Sequence, residues 1–493
     1  MWPRATNKKG ERHRSFCGVS LPAGQARSLP AAEKEDVLLL LMSTHIGVDP
    51  AIFKAYDVRG VYGETLTEET AYRIGRAAAQ YLDVAEIAVG RDMRLSSPQI
   101  AAALIQGITD QGVNAVELGL TTTDELYFAV GKFNFSAGAM VTASHNPGKY
   151  NGIKFCRAQA FPVSLDTGLA DIRDLAVSGH FAQPSRKGEI IERDVADDFV
   201  KHALSFIDVS KIKPLKVVID AGNGMAGMIM PKVFQYLPCE LVPLYLELDG
   251  RFPHHPASPI EPENMVDLQR KVREVGADVG AAFDGDADRM FPVDEYGNLV
   301  DGSQVTEIVT NSILRKHPGS TILYNLIVSK SVPEMVERLG GTAVKTRVGH
   351  SFIKAEMRRV NGIFGGEHSG HFYFRDNWYA DSGLIALLIM LELISVEDKP
   401  LSEIIKPLDH WVRSGEINSA VSDAQSKLNA LREHFGKGAQ AIDTMDGLTV
   451  DYGDWWFNVR PSNTEPLLRL NVEAKTRERM EEKRDDVLAF IRL

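Results

Sequence analysis

Cysteines are scarce in this chain of 493 residues, and long apolar runs are missing. The three cysteines, Cys17, Cys156 and Cys239, are odd in number and far apart, which argues against a disulfide framework or a zinc site and fits a reducing compartment. The longest apolar run, Leu384 to Leu391, is followed at once by Glu392 and is far shorter than the ~20 residues that a spanning helix needs. We therefore expect a cytoplasmic protein that does not enter a membrane, and we expect this run to form a buried core helix.

Positive charge is also in deficit. The chain has 55 lysines and arginines against 66 aspartates and glutamates, a formal net charge of −11. This balance argues against generic binding to nucleic acid or to an anionic membrane. An anionic small molecule stays open as a ligand, because a local cluster of arginine, lysine and backbone N–H groups can bind phosphate within an acidic protein.

The chain is too long for one hydrophobic core, so we expect several domains. Residues 1–41 differ from the rest: they begin with many basic residues, show no clear periodicity and end in a short apolar patch. They predict a disordered extension with Met42 as the natural start, because no small-residue cleavage site of a signal peptide follows the patch. The four predicted domains span residues 42–193, 194–298, 299–408 and 409–493.

Three stretches repeat the pattern of a strand, a helix and a second strand. In the first, the strand Glu86 to Gly90 precedes a helix for which Ser97 is the predicted N-cap. Similar units begin at Leu215 and Thr321. The pattern predicts three related α/β domains with mixed sheets.

The last part of the chain has a different pattern. Strand-like runs at Trp455 to Val459 and Leu467 to Glu473 flank a polar turn, and a charged helix from about Thr476 closes the chain. This order predicts a small α+β domain.

The motif DGDADR places Asp284, Asp286 and Asp288 at alternate positions after an apolar run. Three carboxylates in one loop repel one another unless a cation lies among them, and hard oxygen ligands select Mg²⁺, Mn²⁺ or Ca²⁺. An EF-hand is the first alternative, since Glu295 stands at position 12, but Arg289 takes the place of the required glycine and a strand-like run precedes the loop. A solvated acidic turn is the second alternative. We predict a metal site, with Arg289 suited to bind phosphate oxygens.

The motif TASHNPGKYNGIKF, Thr142 to Phe155, places Ser144 in a polar turn just after an apolar stretch. A serine hydroxyl at a strand end can act as a nucleophile or as a phosphate carrier. Lys149 and Lys154 follow closely, and a cation near the serine would neutralise a transferring phosphoryl group.

The motif GEHSGH offers the carboxylate of Glu367 and the hydroxyl of Ser369, which suit sugar hydroxyls, between glycines that let the backbone approach a ligand. His371 could act as an acid or a base. The histidines could also be structural or bind zinc, but no further His or Cys at a ligand spacing supports zinc.

The motif RPSNTEP gathers hydrogen-bond donors in one turn, and a turn of this kind can hold a phosphate dianion. Its donor side chains are Arg460, Ser462, Asn463 and Thr464. An ordinary Pro-Ser-Asn turn is the alternative. The glycine-rich run at 221–227 lacks the Lys-Ser/Thr of a Walker A sequence, and we interpret it as a strand-to-helix turn.

In this order the four motifs resemble those of the α-D-phosphohexomutase superfamily, in its phosphomannomutase/phosphoglucomutase branch. The resemblance covers about residues 48–493, and the segments Phe53 to Thr67 and Asp249 to Met265 also match. It implies an α/β fold with four domains around a central cleft: three related mixed-sheet α/β domains and a C-terminal α+β domain. Each domain would contribute one loop, for phosphoserine, metal, sugar and phosphate in turn.

The resemblance also implies a reaction. The implied ligands of one Mg²⁺ are Ser144 as phosphoserine, Asp284, Asp286 and Asp288. The implied activity is that of a phosphomannomutase, which interconverts mannose 6-phosphate and mannose 1-phosphate. Phosphoserine and a hexose 1,6-bisphosphate, which is also the activator, would be the intermediates.

The remaining roles follow from the same resemblance. Lys154 and Arg289 would neutralise the transferring group, and His350 and His371 would be candidates for proton transfer. The residues expected to bind substrate are Tyr56, Arg59, Glu367, Ser369, Arg460, Ser462, Asn463 and Thr464. Lys330 lies further downstream than the lysine of the family pattern, and the extension at 1–41 has no counterpart.

Three other functions remain open from the sequence. The same fold could act mainly on glucose phosphates as a phosphoglucomutase. A Mg²⁺-dependent sugar-phosphate phosphohydrolase would pass the phosphoryl group to water. A non-catalytic binder of sugar phosphates would need neither the serine nor the three aspartates. We expect a hexose phosphate as partner, no nucleic acid, no membrane, and a monomer or a dimer.

Overall fold

The computed structural model describes residues 47–408, 410–462 and 467–493. The expected extension at 1–41 and the start at Met42 lie outside these residues. None of the helices in the described part of the chain combines the length and the apolar character that crossing a bilayer requires.

The first domain is a mixed sheet with helices packed against it. Its strands are β1 (Val58–Val61), β2 (Glu86–Arg91), β3 (Asn114–Leu120), β4 (Ala137–Val141), β5 (Tyr150–Arg157), β6 (Phe161–Pro162) and β7 (Ile190–Glu192). Its helices are α1 (Glu68–Leu82), α2 (Ser97–Asp110), α3 (Thr123–Lys132) and α4 (Leu169–Ser178). The strand order is β1-β5-β4-β2-β3-β7, with β6 beside β5. Strands β4, β2, β3 and β7 run parallel, and β5 is antiparallel to both β4 and β1.

One local detail of this domain differs from the prediction. Helix α2 already includes Ser97, and the N-cap is Ser96, whose side chain makes no capping hydrogen bond. The Ser97 hydroxyl instead donates to Asp92 Oδ1 at 2.5 Å. The predicted cap is therefore wrong by one residue, because a nearby buried carboxylate takes the hydroxyl that the sequence pattern assigns to the helix end.

The second domain repeats the mixed arrangement with fewer strands. Its elements are α5 (Ala196–Leu204), β8 (Lys216–Asp220), α6 (Ala226–Phe234), β9 (Glu240–Leu244), α7 (Val266–Val275), β10 (Val279–Phe283) and β11 (Met290–Val293). The sheet order is β11-β10-β8-β9, and only β11 is antiparallel to its neighbour.

The third domain has the same plan. Its strands are β12 (Thr321–Asn325), β13 (Thr342–Thr346), β14 (Phe364–Gly366), β15 (Phe372–Phe374) and β16 (Ala380–Asp381). Its helices are α8 (Gly302–Lys316), α9 (Ser331–Arg338), α10 (His350–Val360), α11 (Gly383–Glu397) and α12 (Leu401–Ile405). In the order β13-β12-β14-β15-β16, the first three strands are parallel and the last two antiparallel.

The C-terminal domain is a fully antiparallel sheet with two helices. Its elements are β17 (Val412–Ala420), α13 (Ala424–Phe435), β18 (Ala441–Asp443), β19 (Leu448–Asp451), β20 (Trp455–Pro461), β21 (Leu467–Ala474) and α14 (Arg477–Arg492). The strand order is β17-β21-β20-β19-β18. The predicted architecture, three mixed-sheet α/β domains followed by an α+β domain, is confirmed, while the exact domain limits stay predictions.

The predicted core helix forms as α11, and nearly all of it is buried. It belongs to the largest apolar cluster, which runs without a break from the second domain into the third and also includes Phe128 of α3. A shared core fixes the loops of these domains relative to one another, because packed side chains transmit displacement rather than absorb it.

The third and fourth domains meet at a group of polar residues, of which Glu473 is buried and Lys330 and Asp451 are partly exposed. The backbone N–H of Lys330 donates to Glu473 Oε2 at 3.0 Å, and Lys330 Nζ lies 2.6 Å from Asp451 Oδ1. The lysine that departs from the family pattern therefore bridges two domains.

Glu307 on α8 is a buried carboxyl group with 1% of its surface exposed. Burial raises the pKa of Glu307 from 4.5 to about 8, although a hydrogen bond with Ser331 and the charge of Arg413 act in the opposite direction. The folded protein then retains a proton that the unfolded chain loses above pH 4.5, so the free energy of unfolding falls as the pH rises from about 4.5 to 8.

Glu307→Gln is expected to remove this pH dependence. We expect the melting temperature at pH 8.5 to rise by about 2 °C relative to the wild type, and the difference to shrink towards pH 5. Thermal unfolding of both proteins at the two pH values checks this, with exposed Glu274→Gln as the control. An equal loss of stability at both pH values would contradict it.

Candidate active site

Three site loops occupy equivalent places in the first three domains. Each follows the C-terminal end of a parallel strand and leads into an antiparallel partner: β4 into β5, β10 into β11, and β14 into β15. Polar side chains at the carboxyl ends of parallel strands are where open α/β sheets bind ligands. We call the loop Asp284 to Arg289 the metal loop and the loop Glu367 to His371 the sugar loop, after the ligands predicted for them. The two loops are neighbours, because Met290 N, directly after the metal loop, donates to Gly370 O at 3.3 Å.

The first loop presents Ser144 with a left-handed backbone, φ 50°. For a residue with a side chain this conformation costs on the order of 1–3 kcal/mol. The backbone N–H of Ser144 donates to Thr142 Oγ1 at 2.9 Å, which helps to hold the turn. The result is a buried serine whose Oγ donates to Asp284 Oδ2 of the second domain at 2.7 Å.

The second loop gathers Asp284, Asp286 and Asp288, all buried. One carboxylate oxygen of each lies within 4.8 Å of the others. Two of their oxygens, Asp286 Oδ1 and Asp288 Oδ1, are buried and accept no hydrogen bond from any described residue. Buried carboxylate oxygens with unused lone pairs are suited to a hard divalent cation.

The EF-hand alternative does not fit this loop. A strand, β10, precedes the aspartates where an EF-hand has a helix. Glu295 faces away from them and accepts a hydrogen bond from Ser402 N at 3.2 Å.

Lys154 on β5 supplies positive charge to the aspartates. Its Nζ donates to Asp286 Oδ2 at 2.7 Å and to Asp288 Oδ2 at 2.8 Å. Burial alone would lower the pKa of Lys154, but the two carboxylates outweigh it and raise the pKa well above its ordinary value. Lys154 is therefore an ammonium ion at neutral pH.

The pKa values of Asp284 and Asp286 move in opposite directions despite the proximity of the two carboxyl groups. Burial raises the pKa of Asp284 to about 7, against the opposing charge of Arg289. Burial also acts to raise the pKa of Asp286, but the Lys154 ammonium outweighs it and the pKa falls below its usual range. Asp286 therefore stays ionised more firmly than Asp284.

Arg289 connects the metal loop to the serine. Its Nε donates to Asp284 Oδ2 at 2.8 Å, and its Nη2 donates to Ser144 Oγ at 3.2 Å. Arg289 Nη2 also contacts His145 Nδ1. The Arg289 charge, helped by burial, lowers the pKa of His145 to about 2, so this imidazole stays neutral.

A cavity of about 390 Å³ opens in front of the serine. The first three domains all contribute to its wall. The lining residues are Lys54, Tyr56, Asp57, Arg59, Tyr127, Ser144, His145, Asn146, Lys154, Asp288, Arg289, His350, His371 and Asp381. The structure therefore brings together eight residues that the sequence predicts for the site: Tyr56, Arg59, Ser144, Lys154, Asp288, Arg289, His350 and His371.

Two histidines form one side of this cavity, with ring centroids 6.5 Å apart. Burial, together with the charge of Lys354, lowers the pKa of His350 well below its ordinary value. Burial also lowers the pKa of His371, although Asp288 and Asp381 oppose this. Both rings are therefore neutral near pH 7 and able to accept a proton.

Glu367 and Ser369 lie behind this wall and are not among the lining residues. Glu367 Oε2 accepts from the Tyr373 hydroxyl at 2.6 Å, and its Oε1 accepts from Asn325 Nδ2 at 3.0 Å. Ser369 Oγ is 2.9 Å from His371 Nδ1. In this arrangement both side chains orient their protein neighbours, and direct contact with a sugar stays a prediction.

The fourth predicted loop is described only in part. Arg460 is buried, and its guanidinium donates to Glu416 Oε2 at 2.5 Å and to Asn471 Oδ1 at 3.1 Å. The hydroxyl of Ser462 accepts from Arg469 at 3.3 Å. Asn463 and Thr464 lie outside the described residues.

Comparison with known proteins matches family models along the chain. The four models are the phosphoglucomutase/phosphomannomutase alpha/beta/alpha domains I, II and III and the C-terminal domain, at residues 50–181, 197–297, 301–410 and 416–490. The phosphomannomutase of Escherichia coli (strain K12) is 41% identical over 431 residues, which cover 86% of this chain and 94% of that protein.

The chain belongs to the phosphoglucomutase/phosphomannomutase family. A protein named "Phosphohexose mutases" from Xanthomonas campestris pv. campestris (strain ATCC 33913) is 42% identical, over 86% of this chain and 95% of that one. A solved structure of a phosphoglucomutase/phosphomannomutase family protein from Burkholderia thailandensis superposes with a TM-score of 0.83 at 33% identity, over 90% of this chain and 97% of that one. The predicted family is confirmed, and with it the assignment to phosphohexomutase enzymes.

Several residues of this family member's site escape motif analysis. Asp381 and Lys354 form a buried ion pair at 2.6 Å beside the two histidines. Thr123, the first residue of α3, donates its hydroxyl to Asp286 Oδ2 at 2.7 Å. The capping box of Thr122 and Glu125 fixes the start of this helix. The sequence shows the capping box as a threonine followed three positions later by a glutamate. Only the fold shows that this end of α3 meets the metal loop.

Thr123→Val is expected to weaken metal binding by about tenfold, because it leaves the aspartate with one donor fewer and changes the shape little. A titration with Mg²⁺ followed by activity and by calorimetry measures this. Thr109→Val, which loses only a hydrogen bond to a carbonyl of its own helix, is the matched control. Unchanged metal affinity in Thr123→Val would show that the hydroxyl does not support Asp286.

Proposed function

We propose that this family member is a phosphomannomutase. It interconverts mannose 6-phosphate and mannose 1-phosphate through a phosphoserine at Ser144 and a hexose 1,6-bisphosphate. The observation that carries the proposal is the position of Ser144 Oγ, 2.7 Å from a metal-loop carboxylate and 3.2 Å from the Arg289 guanidinium. A serine that served only to form a turn would need neither the carboxylate nor the guanidinium beside its hydroxyl.

The donor set around Ser144 fits one Mg²⁺. Asp284, Asp286 and Asp288 would hold it together with a phosphate oxygen of phosphorylated Ser144. Two of their buried oxygens, Asp286 Oδ1 and Asp288 Oδ1, have no hydrogen-bond partner among the described residues. When bound, the ion supplies Lewis-acid stabilisation of the phosphoryl oxygens.

The protein groups position and neutralise the transferring group. The bond from phosphorus to Ser144 Oγ breaks while a bond to the free hydroxyl of the hexose monophosphate forms. Arg289 donates to the oxygen that leaves, and Lys154 supplies charge on the other side of the aspartates. Phosphoryl transfer needs such positioning and neutralisation more than covalent assistance.

The proton of the attacking hydroxyl passes to a neutral base. His371 and His350 line the cavity, and their lowered pKa values leave them unprotonated near neutral pH. The bisphosphate then returns its other phosphoryl group to Ser144, and the isomeric monophosphate leaves.

The remaining residues bind the part of the substrate that does not react. Tyr56 and Arg59 lie on the cavity wall near the serine. The loop that begins at Arg460 would hold the second phosphate, and Glu367 with Ser369 would orient the groups that contact sugar hydroxyls.

A wider substrate range is the second candidate, and the relative named "Phosphohexose mutases" favours it. The test is to measure kcat/KM for mannose 1-phosphate and for glucose 1-phosphate, with Mg²⁺ and a trace of hexose 1,6-bisphosphate present. Isomerisation with a higher kcat/KM for mannose 1-phosphate supports the proposal. A higher kcat/KM for glucose 1-phosphate makes the protein a phosphoglucomutase. Release of free phosphate without a 6-phosphate product would overturn both in favour of a phosphohydrolase.

A further inference from the structure

Arg94 is an almost fully buried arginine, 1% exposed, that is not among the residues lining the cavity. It follows β2 in the segment GRDMR. Its guanidinium binds the backbone of the serine loop. Four carbonyl oxygens accept from it: Ser144 at 2.7 Å, Asn146 at 2.6 Å, Pro147 at 2.9 Å and Tyr150 at 3.0 Å.

Four carbonyl dipoles that converge on one point repel one another unless a cation lies among them. The planar guanidinium carries five N–H donors in a fixed pattern, and here four bonds from its two terminal nitrogens hold the turn. The bond to Ser144 O acts on the residue whose backbone is left-handed, φ 50°. The guanidinium therefore fixes the backbone from which the reacting Oγ extends.

Arg94 is itself held from two sides. Asp92 accepts from Arg94 Nε at 3.1 Å and from the Arg94 backbone N–H at 3.0 Å. The Phe252 ring of the second domain lies over the guanidinium, 5.1 Å from centroid to carbon. Gly250 packs so closely that a Cβ there would lie 2.6 Å from Arg94 Cα. The second domain, which carries the metal loop, thus contacts the group that shapes the serine loop.

We propose that Arg94 is a positioning residue for the phosphoryl transfer. It holds the turn so that the phosphoserine faces the metal loop and the attacking sugar hydroxyl in line, and so that water is kept from the phosphorus. This inference rests on the proposed function, since it concerns the same serine.

Arg94→Lys keeps the charge but replaces the planar fork by a single ammonium with three donors. We expect kcat to fall by about 100-fold, the loss that follows a displacement of about 1 Å at a reacting group, while KM changes by less than about threefold. We also expect a larger share of phosphoryl groups to reach water, measured as phosphate released per isomerisation. A merely structural role would lower the melting temperature without moving this ratio.

Arg358→Lys is the matched control. Arg358 also donates to backbone carbonyls, those of Lys354 at 3.2 Å, Gln159 at 2.8 Å and Trp378 at 2.7 Å, but to none in the serine loop. We expect its kcat and its ratio of released phosphate to isomerisation to stay at the wild-type values. Equal kinetics in Arg94→Lys and the wild type would overturn the inference.

Asp92→Asn keeps the test decisive if Arg94→Lys does not fold. This variant leaves the Arg94 guanidinium in place but weakens the hydrogen bonds that orient it. We expect a smaller fall in kcat and a smaller rise in phosphate release than in Arg94→Lys. Wild-type kinetics would overturn the inference. The intact mass of the wild type after treatment with hexose 1,6-bisphosphate distinguishes a failure of the proposed function from a failure of the role proposed for Arg94. A wild type without phosphate on Ser144 removes the proposed function, whereas a phosphorylated wild type beside an unaffected Arg94→Lys removes only the role of Arg94.

Discussion

Ser144→Ala is expected to lose isomerisation by at least about 10⁴-fold and still to bind hexose phosphate. The reason is that Oγ is the only atom removed, and in the proposed mechanism the phosphoryl group has no other carrier. Arg289 and Lys154 remain to attract the substrate. Turnover is measured in the coupled assay, and binding of mannose 6-phosphate by calorimetry.

Ser164→Ala is the control for this variant, because Ser164 is also buried but its hydroxyl bonds to Thr167 and to none of the metal-loop residues. It should retain wild-type turnover. Full activity in Ser144→Ala would contradict the phosphoserine mechanism. Loss of binding together with turnover would mean that the serine shapes the site rather than carries the phosphoryl group.

Asp286→Asn has the second largest expected effect. The pKa of Asp286 lies below its usual range, and this carboxylate accepts hydrogen bonds from both Thr123 and Lys154. The amide removes one negative charge from the cation site and turns one acceptor into a donor. We expect kcat to fall by about 1000-fold, and the Mg²⁺ concentration for half-maximal activity to rise.

Asp294→Asn provides the comparison for a buried aspartate just beyond the same hairpin. Asp294 accepts from the backbone of Tyr296 and Asn298 and contacts none of the three metal-loop carboxylates. Its Mg²⁺ dependence should match the wild type. Activity that survives both Asp286→Asn and removal of divalent ions with a chelator would show that the acidic loop does not hold a catalytic metal.

The parts of the fold that follow local rules could be predicted from the sequence. The strand β2 and the core helix α11 fall where the pattern of apolar residues places them. The two site motifs of the first and second domains lie where the sequence places them, because DGDADR and the serine turn each follow a buried strand directly. The ligands of these motifs stay predictions.

The rest depends on contacts between residues that are distant in sequence. Arg94 and Ser144 are 50 positions apart, and Thr123 and Asp286 are 163 positions apart. Neither contact produces a pattern that can be recognised in a single amino-acid sequence. Glu367 shows the opposite case, because its motif suggests a sugar ligand while its carboxylate is occupied by Tyr373 and Asn325. Only the packing of the third domain reveals these partners.

The most direct test of the central claim follows the phosphoryl group itself. Enzyme carrying a radiolabelled phosphate on Ser144 is mixed with unlabelled mannose 6-phosphate, and the label is traced after a single turnover. The proposed mechanism predicts that the label moves into hexose phosphate, with little inorganic phosphate formed. Label that appears as inorganic phosphate, or that stays on the protein while isomerisation proceeds, would contradict it.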